Sequence, residues 1–117
     1  TRANLLREEE LRRKRIEDDK NDLATANCEK RGIRNRLDVQ RITKLMNKVS
    51  RTTTRSRLMR LVGKMDDSLR LIFVTNDGLR TCMRYLREEG TDSRALLRLQ
   101  IDTLQFLLAT KLRTLNQ

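Results

Sequence analysis

Histidine and proline are absent from the 117 residues, and glycine occurs only four times. Without histidine there is no imidazole to act as a general base or to activate a nucleophile. A zinc site loses its commonest ligand as well, and Cys28 and Cys82 stand too far apart in the chain for metal-type spacing. Both cysteines read as free thiols, Cys82 packed and Cys28 inert. The glycines stand singly at 32, 63, 78 and 90, so there is no glycine-rich phosphate loop. Aromatic residues make up 3% of the chain, and β-branched or aromatic residues in alternation are few, which leaves strands unsupported. No apolar run reaches the roughly 18 residues of a membrane span, the run at 104–108 included. No signal-peptide hydrophobic segment is present. The first residue is Thr1 and not Met, which points to a processed protein or to a piece of a longer one.

Charge is abundant. Charged and hydrophobic residues each contribute 37%, and the net charge is +11. So much charge leaves enough apolar material for a compact core in part of the chain only. The excess is not evenly spread. Residues 1–65 carry 19 basic and 9 acidic side chains, whereas residues 66–117 carry 8 and 7. From 39 to 65 there is no acidic residue at all. Strong positive charge speaks to partners more than to fold: nucleic acid, an anionic membrane surface or an acidic protein.

The pattern predicts an all-α chain in three parts: a charged helical arm over 1–32, a basic helical segment over 33–65 and an antiparallel helical pair over 66–117. In the arm, Leu5, Leu6, Leu11, Ile16 and Leu23 form only a thin apolar stripe. Glu8, Glu9 and Glu10 precede Arg12, Arg13 and Lys14 by four, the favourable order for helix pairs. The arm therefore lies across a partner or projects from the domain. Gly32 breaks it. Ile33, Leu37, Ile42, Leu45, Met46 and Val49 then resume a helical stripe. The threonines at 52–54 disfavour helix and suit a cap, so a short helix is placed at 57–62.

Residues 66–89 read as one central helix, with Leu69, Ile72, Phe73, Asn76, Leu79, Met83 and Leu86 on one face. Asp66, Asp67 and Ser68 offer caps at its start, and Gly90 offers a stop. Its middle holds Thr75-Asn76-Asp77-Gly78, four poor helix formers. Either Asn76 is paired across to a neighbouring helix, with Gly78 allowing close approach, or the four mark a kink. Asn76 is expected to be at least partly buried and paired, and Arg80 to face solvent or a carboxylate such as Asp77. A tight turn at 90–93 leads to a last helix at about 94–115, whose stripe includes Leu97, Ile101, Leu104 and Leu108.

Candidate binding residues follow from the basic segment. Arg41, Lys44, Lys48, Arg51 and Arg55 recur at three or four and form one cationic ridge if helix persists through the threonines, with Arg57 and Arg60 beside it. Such a ridge can neutralise phosphates of RNA or anionic lipid in a salt-dependent way, or meet an acidic protein. It has no stacking aromatics and no base-reading motif, so base-specific recognition is not indicated. The acidic pairs Asp18-Asp19, Asp66-Asp67 and Glu88-Glu89 read as caps or surface charge, since adjacent helix residues point different ways. No catalytic, metal-ligating or cofactor-binding residue is expected.

The stretch LVGKMDDSLRLIFVTNDGLRTCMRYLREEGTDSRALL, residues 61–97, resembles the C-terminal helical region of AarF/UbiB-type atypical kinases. That family carries a segment of the form LL-x-K-L-P, then L-K-T-N-D-x-L-R, then a helix, a glycine-bearing turn and a further helix. Leu61, Gly63 and Lys64 match here, as do Thr75, Asn76, Asp77, Leu79, Arg80 and the Gly90 turn. Asp66 stands where the family commonly has proline, and Phe73-Val74 precede TND without the usual lysine. The family's kinase-like core, with its Lys-x-Gly-Gln helix, alanine-rich nucleotide loop and metal-binding acids, has no counterpart in these residues. The resemblance implies a structural signature and no transferable catalytic residue. It also implies mitochondria or plastids and a link to isoprenoid quinone metabolism. Two functional expectations result. One is a non-catalytic docking segment of this kind within a larger organellar assembly, among other protein subunits. The other is a small basic subunit of a mitochondrial ribosome or respiratory complex, touching RNA or an anionic surface through 39–65.

Overall fold

The computed structural model of the chain describes residues 1–89 together with Arg98, Ile101, Asp102, Gln105 and Ala109. The expected turn at 90–93 and most of the expected helix at 94–115, Leu104 included, lie outside the described residues. Among the described residues the fold is all-α, as the composition predicts. It has five helices: α1 (Arg2–Arg31), α2 (Arg36–Lys48), α3 (Thr52–Gly63), α4 (Asp67–Thr75) and α5 (Gly78–Glu89). None is long and apolar enough to cross a membrane.

Helix boundaries follow local chemistry. Gly32 ends α1 at φ 72°, left-handed backbone open to glycine, and its N–H donates to Cys28 O at 2.9 Å. Asn35 caps α2: its Oδ1 accepts from Asp38 N at 2.9 Å, while the Asp38 carboxylate accepts from Arg34 N at 3.0 Å. The first bond satisfies a donor that the helix start leaves open, and the second ties down the residue before the cap. Asp66 caps α4 by accepting from Leu69 N at 2.9 Å.

Two boundaries differ from expectation. Helix α3 begins at Thr52, five residues before the expected 57, and its N-cap Arg51 makes no side-chain cap bond. The threonines are drawn into the first turn by a tertiary bond, because Thr54 Oγ1 donates to Asp22 Oδ1 of α1. The expected single helix over 66–89 is also two. Asn76 closes α4, and Asp77 turns the chain at φ 68°. Of the two explanations for the polar quartet, the break is the one observed. Asn76 is half-buried and paired, but its Nδ2 donates to Ile72 O of its own helix at 2.7 Å, not across to a neighbour. Asp77 O in turn accepts from Thr81 N at 3.1 Å, starting α5. Arg80 faces solvent.

Helix α2 is the hub, packing against α1, α3, α4 and α5. The core joins Val39, Ile42 and Met46 of α2, Leu58 and Val62 of α3, Phe73 of α4, and Cys82 and Tyr85 of α5. It therefore draws on both sides of the expected division at 65/66. Gly78 is needed where α5 turns back on α4. A Cβ there would overlap Phe73 O and stand 2.5 and 2.6 Å from ring atoms Cδ1 and Cε1. Gly78→Ala should lower stability by about 2 kcal/mol through overpacking. The sign is diagnostic in a urea titration, because alanine in an unobstructed helix stabilises by up to about 1 kcal/mol over glycine. A raised midpoint would dismiss the close packing.

Candidate functional site: a basic groove between α1 and α2

The charges of the basic segment do not form one ridge. Helix α2 ends at Lys48 and α3 starts at Thr52, so the break at 49–51 rotates the later cations away from the earlier ones. Each then meets a different environment.

Three of the seven expected binding residues are engaged with other helices of the chain. Arg51 sits among Asp18 and Asp19, each at 3.7 Å, and pairs directly with Asp22. Arg57 pairs with Glu29, and this bond holds the Glu29 carboxyl below its ordinary range and raises Arg57. Ser50 Oγ adds a bond to Asp18 Oδ1 at 3.3 Å. Together these make an ionic seam that fastens the second half of α1 to α3. Arg55 is buried. Its guanidinium lies over the Tyr85 ring at 4.3 Å, its Nε donates to Val49 O at 3.0 Å, and its Nη2 meets Glu88 Oε2 at 2.8 Å. The acidic residues of the arm are thus chiefly tertiary partners. Of the predicted pairs within the helix, Glu9 with Arg13 at 3.3 Å is formed.

Arg41, Lys44 and Lys48 behave otherwise. All three are exposed on α2 and line a groove of about 390 Å³ between α1 and α2. Helix α1 contributes Lys20 and Arg31 to the same rim. Five cations thus face two carboxylates, Glu17 and Asp38, and Asp38 already accepts from Arg34 N and stands 3.7 Å from the Arg41 guanidinium. Ala24, Cys28, Ile33, Ile42 and Leu45 supply apolar surface beneath the rim. Burial, with Asp38 nearby, pushes the Cys28 thiol up from its usual value, so Cys28 serves as protonated floor. Cys82 lies in the core, where burial pushes its thiol up to about 12. Arg60 is exposed on α3 and does not line the groove.

The groove exists because α1 approaches α2 through small or polar side chains. Asn21 and Thr25 are buried there, and Asn21 Nδ2 reaches Lys48 O at 3.5 Å. No large aliphatic of α1 fills the space. Periodicity alone missed Lys20 and Arg31, which sit in a region where acids and bases alternate. The signature residues lie elsewhere. Thr75 and Asp77 are exposed, Asn76 and Leu79 half-buried, and Arg80 exposed, all at the α4–α5 break. No family model, curated protein or solved structure matches the chain.

Proposed function

We propose that this chain is a non-catalytic docking module whose α1–α2 groove holds an acidic, amphipathic segment of a neighbouring protein in a larger assembly. One observation carries the reading. The exposed cations Lys20, Arg31, Lys44 and Lys48, with Arg41 at 3.7 Å from Asp38 of its own helix, converge on a groove with an apolar floor, while Arg51, Arg55 and Arg57 are engaged with other helices. A helix with one apolar and one acidic face fits such a site, its aliphatics on Ile42 and Leu45 and its carboxylates on the rim. The cations would steer its approach and set its register. The resemblance of residues 61–97 to the tail of AarF/UbiB-type kinases supports a structural role, and with it a mitochondrial setting among other subunits. It gives the α4–α5 break the character of an inherited turn.

The second reading is the small basic subunit, with RNA or anionic lipid on the same surface. The exposed Arg60 on α3 and Lys64 just after it favour it, since they extend positive charge beyond the groove. A sequence-neutral backbone contact needs no aromatic platform.

Titration of the full chain with an acidic amphipathic peptide, a single-stranded RNA and anionic vesicles separates the two. The docking reading expects saturable peptide binding that Lys44→Glu/Lys48→Glu weakens by about tenfold or more. Ile42 is left intact in that variant, so the fold is preserved. Peptide binding that is absent at low salt overturns the reading. Tighter binding of RNA or vesicles, lost steeply with salt, replaces it with the second.

A further inference from the structure

The first half of α1 contributes nothing to the core of the described residues. Every residue from 1 to 17 is exposed, including Leu5 at 66% and Ile16 at 62%. At 100° per residue, Leu5, Glu9, Arg12 and Ile16 fall within about 60° of one another on the helix surface. The buried Asn21 and Thr25, which face α2, lie about 180° away. Among the described residues the face is therefore unpartnered and directed away from the core, with the groove on its flank.

We infer that this face pairs with the same face of a second copy of the chain, as an antiparallel helix pair. Charge complementarity selects the partner and the register. With Leu5 opposite Ile16 of the second copy, Glu9 falls opposite Arg12. The two-fold axis repeats each contact, so Glu9 and Arg12 meet twice across the seam and the aliphatics meet each other. The alternatives fail on the same residues. A parallel pair sets Glu9 on Glu9 and Arg12 on Arg12. An antiparallel pair shifted to place Leu5 on Leu23 sets Glu9 against Asp19. Like charges across a helix seam disfavour both. The existing Glu9–Arg13 pair is exposed on both sides and is free to exchange for contacts across the seam.

Two aliphatics per copy make a weak, reversible dimer, with Kd on the order of 10–100 μM at low salt. The test is sedimentation equilibrium of the full chain from about 5 to about 500 μM, in low and in high salt. The expected result is a mass rising from 13.8 kDa towards twice that value at low salt. Leu5→Ser/Ile16→Ser should weaken association about tenfold or more without altering the fold, because both side chains are exposed. Glu9→Arg alone should abolish the dimer, and Glu9→Arg/Arg12→Glu should restore it, since exchanging the two signs preserves the complement. A monomer at about 500 μM overturns the inference. So does a dimer indifferent to the Leu5 and Ile16 changes, or one that the double exchange does not rescue. Circular dichroism of each variant confirms that the helices are intact.

Discussion

Phe73→Ala should cost about 4 kcal/mol. Phe73 is 1% exposed and belongs to the cluster formed with α2, α3 and α5. Its ring also lies against the backbone at Gly78, so it fills the inside of the α4–α5 turn. Truncation removes the apolar surface and leaves a cavity that a left-handed turn at Asp77 and a helix start at Gly78 cannot easily close. Urea denaturation followed by circular dichroism measures the change. The double variant Phe73→Ala/Gly78→Ala sharpens it. Removing the ring relieves two of the three close contacts of the new Cβ, but the overlap with Phe73 O is backbone and stays. The Gly78→Ala penalty should therefore shrink without vanishing in the Phe73→Ala background. Strict additivity would refute the packing described at this turn, and a Phe73→Ala variant as stable as the parent would refute the core itself.

Arg55→Ala should cost about 3 kcal/mol. Its guanidinium is a structural cation: it stacks on Tyr85, satisfies Val49 O at the end of α2 and pairs with Glu88 on α5. Tyr85 carries its own hydroxyl to Met46 O, so the two side chains together tie α3 and α5 to the C-terminal end of α2. Glu88 is half-exposed and can be rehydrated when Arg55 is lost, which keeps the cost at the lower end for a buried charge pair. Arg55→Lys should recover little, because an ammonium cannot lie flat on the ring and hold two acceptors in the fork geometry of guanidinium. Thermal unfolding of both variants tests this. Full recovery by lysine would mean that charge alone matters at this position. Binding to an acidic partner should be unchanged in either variant under conditions where it is folded, which separates Arg55 from the groove cations.

Much of the fold is legible in the chain. Sparse glycine, absent proline and helical spacing announce an all-α protein. Gly32 and Asp66 mark one helix end and one helix start, because each solves a local problem of backbone conformation or unsatisfied N–H groups. The polar quartet at 75–78 signals an irregularity in a helix that is otherwise well formed. Its nature depends on Phe73, which needs the space that only Gly78 leaves. The start of α3 was hidden for a similar reason. The threonines at 52–54 are poor helix formers in isolation, and Thr54 gains its compensation from Asp22, 32 residues away in the chain.

The candidate site divides along the same line. That residues 39–65 are basic and free of acid is a property of the sequence, and it is enough to direct attention to anionic partners. Which cations remain available is not. Arg51 and Arg57 find carboxylates 29 and 28 residues away, on α1. Lys20 and Arg31 join Arg41, Lys44 and Lys48 only because α1 lies beside α2. Local periodicity determines helices, their ends and their amphipathic faces, since those depend on neighbours within a turn or two. Pairing between distant charges depends on how helices dock. In this protein that docking alone decided that the cationic ridge is divided: one part locked into the ionic seam and the core, and one part left open above an apolar floor.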